Sequence, residues 1–111
     1  MQITTTLCNE ATVATLVGRM DAMTTVEFDR WFSEQRANGT TRLILNMGGL
    51  DYISSAGLRS LLAAAKKLKP AGGSLLLCGL KGTVEEVFRM SGFLSILPSF
   101  SDEEEACASL K

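Results

Sequence analysis

Residues 42–58, Arg-Leu-Ile-Leu-Asn-Met-Gly-Gly-Leu-Asp-Tyr-Ile-Ser-Ser-Ala-Gly-Leu, decide the fold of this chain. The segment opens with an apolar run at 42–47, which is typical of a central strand covered on both faces. Gly48-Gly49 predicts the end of that strand, and residues 50–53 are expected to form a loop. Ser54 or Ser55 then predicts the start of a helix, because serine is a favourable N-cap residue.

The helix predicted after these serines has a clear apolar face. Lys66, Lys67 and Lys69 place positive charge at the negative end of its dipole, and Pro70 with Gly72-Gly73 predicts its end. A strand followed by such a helix is the repeating unit of α/β proteins. The inward-facing residues have the spacing of an amphipathic helix and are Leu58, Leu61, Leu62, Ala65 and Leu68.

The residues before this segment predict a hairpin and a helix. Residues 3–7 and 12–17 are rich in β-branched side chains and predict two antiparallel strands. Residues 24–37 predict a helix, with Thr24 and Glu27 spaced as a capping box.

The residues after the segment continue the alternation of strands and helices. Residues 74–78 predict a buried strand, Thr83 and Glu86 a second capping box, residues 94–97 a last strand, and Ser101 the cap of a final helix. The predicted order is β-β-α-β-α-β-α-β-α. We therefore expect one small α/β domain over residues 1–111, with a mixed, mostly parallel sheet of four to five strands and about four helices.

Composition and charge exclude several classes of function. The formal charge of −1 leaves no basic surface for nucleic acid or an anionic membrane. No histidine is present, which excludes Ser–His–Asp and Cys–His catalysis and histidine-ligated metals. The apolar runs are shorter than the roughly 20 residues that a membrane-spanning helix needs. Residues 1–6 lack the pattern of a signal peptide.

The cysteines predict neither a metal site nor a disulfide framework. Cys8, Cys78 and Cys107 are far apart and form no CxxC motif. Cys78 lies in an apolar run and is expected in the core. Three reduced cysteines and a cytoplasmic location are therefore expected.

Considered on their own, the residues around Ser55 leave the function open. A serine pair at a helix start needs no purpose beyond capping. Gly48-Gly49 lacks the spacing and lysine of a phosphate-binding loop, and residues 54–57 are not a nucleophile elbow. A binding surface remains plausible on topological grounds, because loops at the carboxyl ends of parallel strands usually meet ligands and partners.

A family resemblance makes the prediction specific. Residues 45–58 resemble the signature of STAS domains, particularly those of bacterial anti-sigma factor antagonists. Gly18-Arg19-Met20-Asp21 and Met90-Ser91-Gly92-Phe93 are further similar motifs, in the same order and at similar distances. The resemblance covers nearly the whole chain.

The resemblance implies a switch controlled by phosphorylation. In that family the unphosphorylated antagonist binds a serine-kinase anti-sigma factor, which then releases its sigma factor. The kinase phosphorylates a serine at this helix start, and a serine phosphatase reverses the modification. The matching position is Ser55. The alternative acceptor is Ser54, where several antagonists carry aspartate instead.

The predicted partner surface spans residues 21–25, 46–52 and 54–59. Arg59 lies one helical turn after Ser55 and is expected to pair with its phosphate. No cofactor, metal or catalytic residue is expected, and the protein is predicted to be monomeric. Alternatives are a STAS subunit of a different regulatory or lipid-transport complex, and a small enzyme, which the missing histidine disfavours. The predicted contact residues are Asp21, Met23, Thr24, Asn46, Met47, Asp51, Ser54, Ser55, Gly57, Leu58 and Arg59.

Overall fold

Five strands and four α-helices alternate over residues 1–110, the part of the chain that the computed structural model describes. This order confirms the predicted β-β-α-β-α-β-α-β-α succession. Within this range, no helix combines the length and the apolar character needed to cross a membrane. The strands are β1 (Gln2–Cys8), β2 (Ala11–Met20), β3 (Arg42–Ile53), β4 (Ser74–Cys78) and β5 (Ser99–Phe100), and the helices are α1 (Thr25–Ala37), α2 (Ser55–Leu68), α3 (Gly82–Ser91) and α4 (Glu103–Ala108).

The strands form one sheet in the order β1-β2-β3-β4-β5. β1 pairs antiparallel with β2, and the other pairs are parallel, which confirms the predicted mostly parallel sheet. Because parallel strands end at the same edge, the last residues of β2 and β3, Met20 and Ile53, lie side by side. This edge of the sheet carries the start of α2 and the candidate site.

Strand β3 runs through Gly48-Gly49, so the predicted break and the loop at 50–53 are wrong. β3 stays paired with β2 through two register shifts, in which it gains an extra residue opposite residues 15–17 and again opposite residues 18–19. Such β-bulges lengthen one strand without ending the ladder. Glycine permits the first shift, because a Cβ at Gly49 would lie 2.9 Å from Cγ2 of Val17.

Two apolar cores lie on opposite faces of the sheet. Phe28 of α1, Leu61 of α2 and Phe88 of α3 pack together with one face of the sheet in the larger core. α4 contributes to the smaller core, where its residues Ala106 and Cys107 pack with Ile44 of β3. Both faces of β3 are therefore covered, as its apolar run predicted.

The helix starts differ from the predicted capping boxes. Neither Thr24 at α1 nor Lys81, the N-cap residue of α3, makes a side-chain capping bond. The Thr24 hydroxyl instead donates to the carbonyl oxygen of Arg19 at 2.7 Å. At α4 the cap is Asp102 rather than Ser101, and its carboxylate accepts the backbone N–H of Glu105 at 2.8 Å.

The strand predicted at residues 94–97 is a 3₁₀ turn over Phe93–Ser95, followed by core residue Leu97. Gly92 has a left-handed backbone with φ of 76°, which ends α3 and redirects the chain. The hydroxyl of Ser95 donates to the Gly92 carbonyl oxygen at 2.9 Å and supports the turn. The edge strand β5 follows later, at Ser99–Phe100.

The expectation of three reduced cysteines is wrong for one pair. Cys8 at the end of β1 and Cys107 in α4 form a disulfide, with their Cα atoms 6.3 Å apart. Cys78 is free and buried, as its apolar run predicted. Burial raises the pKa of Cys78 to about 11, with a further contribution from the negative charges of Glu103 and Asp102.

Candidate functional site

The start of α2 gives the two adjacent serines different environments. Ser54 is the N-cap residue, and its hydroxyl accepts the backbone N–H of Gly57 at 3.2 Å. Ser55 is the first residue of the helix and is exposed. Within residues 1–110 its hydroxyl makes no side-chain hydrogen bond to the protein. The structure thus separates a capping serine from one that is free to react or to contact a partner.

The position of this helix start depends on close packing against β2. The backbone N–H of Ser54 donates to the carbonyl oxygen of Met20 at 2.9 Å. Gly57 lies against the same strand end, because a Cβ on it would come within 2.8 Å of Ile53 Cγ1 and 3.0 Å of the Met20 carbonyl oxygen. Only glycine allows this approach, so Gly57 holds Ser55 in place at the end of β2.

Asp21 organises the turn that leads from β2 into α1. Its Oδ1 accepts the backbone N–H groups of Met23 and Thr24, each at 3.0 Å. The hydrogen bond from the Thr24 backbone is the main cause that lowers the pKa of Asp21 below its usual range. Asp21 therefore shapes the loop beside the α2 start, and that loop carries the side chain of Met23, which is 84% exposed.

An Arg–Tyr pair lies beside this turn. Tyr52 belongs to the predicted surface segment 46–52, but neither Arg19 nor Tyr52 was among the predicted contact residues. Arg19 and Tyr52 are register partners on β2 and β3, and the Arg19 Cζ lies 4.4 Å from the centre of the Tyr52 ring. The second bulge of β3 precedes Tyr52 and includes Asp51, which is exposed. Both members of the pair occur in motifs that the sequence analysis quoted, but their contact depends on the bulged register.

The predicted contact residues divide into exposed and buried sets. Met23, Asp51, Ser55 and Arg59 are exposed, and Asp21, Thr24 and Ser54 are partly exposed at the same edge of the sheet. By contrast, Met47, Gly57 and Leu58 are buried, so they support the surface from beneath.

Asn46 lies away from the start of α2. Its neighbours in the strand, Leu45 and Met47, belong to the larger core, so strand alternation directs Asn46 to the face covered by α4. There its Nδ2 donates to Glu103 Oε2 at 2.6 Å, and its Oδ1 accepts the N–H of Gly48 at 2.9 Å. The structure therefore does not bring Asn46 together with Ser55.

Arg59 lines a groove of about 440 Å³ between α1 and α2. Asp29 and Lys67 also line it, so the groove carries both signs of charge. Thr25 lies in the wall of the groove and is only 6% exposed. Its hydroxyl has no hydrogen-bond partner among the described residues. Arg59 makes no ion pair within residues 1–110 and is available to an anion near the helix start.

The start of α2 and its surroundings offer a charged and partly apolar surface. Within residues 1–110 no cluster of acidic or cysteine side chains could hold a metal ion. The N-terminus of α2 presents positive partial charge next to an exposed hydroxyl, which favours a negatively charged group there. The surface therefore combines the exposed hydroxyl of Ser55 with exposed apolar and charged side chains.

Comparison with known proteins identifies the family of this chain. The STAS domain family matches residues 2–106. The chain is similar to BtrV of Bordetella bronchiseptica, described as an anti-sigma factor antagonist, with 40% identity over 111 residues that cover 100% of this chain and 96% of BtrV. The chain belongs to the STAS domain family, in its anti-sigma factor antagonist group.

Solved structures share the fold at low sequence identity. An anti-sigma factor antagonist from Thermotoga maritima superimposes with a TM-score of 0.90 at 18% identity, over 96% of this chain and 92% of that one. The Bacillus cell fate determinant SpoIIAA in its phosphorylated form gives a TM-score of 0.76 at 22% identity, over 99% of this chain and 100% of SpoIIAA. These likenesses establish the STAS architecture of the chain.

Proposed function

We propose that this protein is an anti-sigma factor antagonist controlled by phosphorylation of Ser55. In the unphosphorylated state it binds a serine-kinase anti-sigma factor, which then releases its sigma factor. Phosphorylation by that kinase ends the binding, and a serine phosphatase restores it. The observation that carries the proposal is the exposed, unengaged hydroxyl of Ser55 beside the capping hydroxyl of Ser54.

A phosphate at Ser55 has opposite effects on the folded domain and on a complex. It adds a charge of about −1.5 to −2 and three acceptor oxygens. The first turn of α2 tolerates this charge, because the helix dipole and free N–H groups favour an anion there. In a packed interface the same group loses its water, at a cost of several kcal/mol by order of magnitude unless a cation compensates it. Phosphorylation therefore opposes binding without unfolding the protein.

The surface that binds the kinase is formed by three segments at one edge of the sheet. They are the Asp21 turn with Met23, the end of β3 with Asp51 and Tyr52, and the start of α2 with Ser55 and Arg59. The exposed methionine and tyrosine offer apolar anchors, and the charged residues surround them. SpoIIAA, which shares this fold, has been solved in a phosphorylated form, and that supports a modification of the same kind here.

The remaining properties follow from this role. The protein acts as a monomer in the cytoplasm, without a cofactor, and binds neither nucleic acid nor membrane. It is a substrate of the kinase and is not itself an enzyme. The names of its relatives describe regulatory proteins and are consistent with such a role.

The decisive experiment separates Ser55 as a switch from Ser55 as a helix residue. The wild type is used to capture its kinase from the native cell, and the kinase with ATP should add one phosphate, mapped to Ser55. Ser55→Ala should abolish the modification and keep binding. Ser55→Glu should fold normally and bind at least about tenfold more weakly, a loss of about 1.4 kcal/mol.

Ser54→Ala is the matched control, because it alters the neighbouring hydroxyl and keeps the acceptor. It should still be phosphorylated. Binding of Ser55→Glu as tight as that of wild type, with an unchanged melting temperature, would reject the proposal. Capture of a transport or lipid-binding complex instead of a kinase would favour a STAS subunit of a different machine.

A further inference from the structure

The Cys8–Cys107 disulfide connects the edge strand β1 with α4, two elements at opposite ends of the chain. The linked residues are 99 positions apart in sequence, so the bond closes a loop that includes nearly all of the domain. α4 has six residues, which is too short for a helix to be stable alone. Its position therefore depends on the packing of Ala106 and Cys107 and on this bond.

Reagents can approach the pair from solvent. Cys8 is partly exposed, whereas Cys107 is 6% exposed. Both line an open depression of about 460 Å³, with Glu10 and Arg42 also in its wall. Asn9 Nδ2 donates to the sulfur of Cys107 at 3.3 Å. A small oxidant or thiol thus reaches Cys8 first, and Cys107 lies behind it as the second sulfur of the pair.

The third cysteine does not compete for this chemistry. Cys78 is fully buried in the same smaller core, and its pKa of about 11 keeps it protonated at neutral pH. Because the thiolate is the reactive form, Cys78 is expected to be inert in the folded protein. The reactive set is therefore limited to Cys8 and Cys107.

Helix α4 links the pair to β3. Glu103 lies one helical turn before Cys107 and accepts the Asn46 side chain at 2.6 Å. Asn46 in turn accepts the N–H of Gly48 at 2.9 Å, in the bulged part of β3 that leads to the candidate site. Two hydrogen bonds therefore connect α4, near Cys107, with Gly48.

We propose that Cys8 and Cys107 are a reversible redox modification site, and that their disulfide holds α4 and the bulge of β3 in the arrangement described above. Breaking the bond loosens α4 and the Glu103–Asn46–Gly48 chain. Disulfides of the cytosol are usually transient or redox-sensing, so the regulatory meaning of the switch rests on the proposed function and its compartment. Neither the formation of the disulfide nor its effect on β3 depends on the proposed function.

The chemistry balances with a peroxide as oxidant and a low-molecular-weight thiol as reductant. The Cys8 thiolate attacks the peroxide and the O–O bond breaks, which leaves a sulfenic acid at Cys8 and a hydroxide that takes up the proton released by the Cys8 thiol to give water. The Cys107 thiolate then displaces hydroxide from that sulfur, and this hydroxide takes up the proton released by the Cys107 thiol, so the two thiols lose two electrons and two protons in total. In the reverse direction a small thiolate attacks the Cys8 sulfur and releases Cys107, and a second one completes the reduction.

Intact mass spectrometry after unfolding and maleimide labelling tests the site. Reduced wild type should take up three labels; after brief treatment with hydrogen peroxide it should take up one, at Cys78. Reduced glutathione at millimolar concentration should restore the uptake of three labels. After the same peroxide treatment, the single variants Cys8→Ser and Cys107→Ser should not show the mass decrease of two hydrogens that accompanies an internal disulfide. Cys78→Ala should form the disulfide like wild type. The proposal is overturned if the Cys8–Cys107 disulfide never forms in wild type or if glutathione cannot reduce it.

Amide hydrogen exchange on the same samples tests the relay without any partner. Reduction of wild type, which involves no substitution, should speed exchange at Gly48 and Ala106 by at least about tenfold. Cys78→Ala should respond equally. Equal exchange at Gly48 in the two redox states would disprove the relay. Because neither assay uses the kinase, failure of the proposed function leaves both results interpretable.

Discussion

The hydroxyl of Ser54 accepts the backbone N–H of Gly57 at 3.2 Å, and this bond closes the first turn of α2. The neighbouring Ser55 has no such task and lies exposed at the first helical position. Under the proposed function, capping and phosphorylation therefore involve different hydroxyl groups. A switch built in this way can gain or lose a phosphate without losing its helix cap.

Replacing the two serines by alanine should have unequal effects on stability. Ser54→Ala removes the cap and should lower the free energy of unfolding by about 1 kcal/mol. Ser55→Ala removes no capping bond and should change it by less than about 0.5 kcal/mol. Urea titration followed by circular dichroism measures both. A larger loss for Ser55→Ala would show that the capping assignment is reversed.

Gly57→Ala should destabilise the protein although alanine is the better helix former. The added Cβ would lie 2.8 Å from Ile53 Cγ1 and 3.0 Å from the Met20 carbonyl oxygen. Overpacking of this kind costs about 1–3 kcal/mol. Ser60→Ala, in the same helix, is the control and should be nearly neutral. A Gly57→Ala protein that melts at or above the wild-type temperature would contradict the close packing.

The pH dependence of stability should report the Asp21 turn. The folded-state pKa of Asp21 is lowered by the hydrogen bonds from Thr24 and Met23. Its contribution to stability is therefore complete above the unfolded pKa of about 3.9 and is lost as the pH falls through the lower folded value. Asp21→Asn should thus be less stable than wild type at pH 7, and the difference should shrink below about pH 4.

Asp51→Asn is the control for this experiment. The Asp51 carboxylate is exposed and makes no hydrogen bond within residues 1–110, so its removal should alter stability little at either pH. Urea midpoints at neutral and acidic pH, measured for both variants, give the comparison. A difference between Asp21→Asn and wild type that grows on acidification would reverse the predicted sign.

Charge reversal should locate the partner surface. Asp51→Lys changes an exposed residue of the proposed kinase-binding edge, whereas Glu104→Lys changes an exposed residue of α4. Asp51→Lys should weaken binding to the captured kinase by at least about fivefold, near 1 kcal/mol. Glu104→Lys should change it by less than twofold. Calorimetric titration measures both, and equal losses would place the kinase on a different face.

The sequence by itself determined the class of fold and the position of most elements. The apolar run before Gly48 and the amphipathic spacing from Leu58 to Leu68 are local patterns, and they specify buried strand and covered helix wherever the chain places them. The family motif around Ser55 likewise depends only on residue order. These features were predictable because periodicity and motif spacing depend only on the order of residues in the chain.

Other features were decided only in the tertiary structure. Gly48-Gly49 on its own predicts the end of a strand. In the structure both glycines belong to the bulged strand β3, which stays paired with β2. Thr24 has the spacing of a capping box, yet its hydroxyl bonds to the carbonyl oxygen of Arg19 and the carboxylate of Asp21 and makes no capping bond. At the glycines the long-range pairing with β2 outweighed a weak local preference, and at Thr24 the turn formed by Arg19 and Asp21 did so.

The candidate site shows the same division. The motif contains both Ser54 and Ser55, but the structure shows that the Ser54 hydroxyl accepts the Gly57 N–H and caps α2, whereas Ser55 is exposed. The pairs Arg19–Tyr52 and Cys8–Cys107 join residues distant in sequence, at separations that no local pattern encodes. Contacts of this kind depend on sheet order and register, which arise only when the strands and helices pack around a shared core.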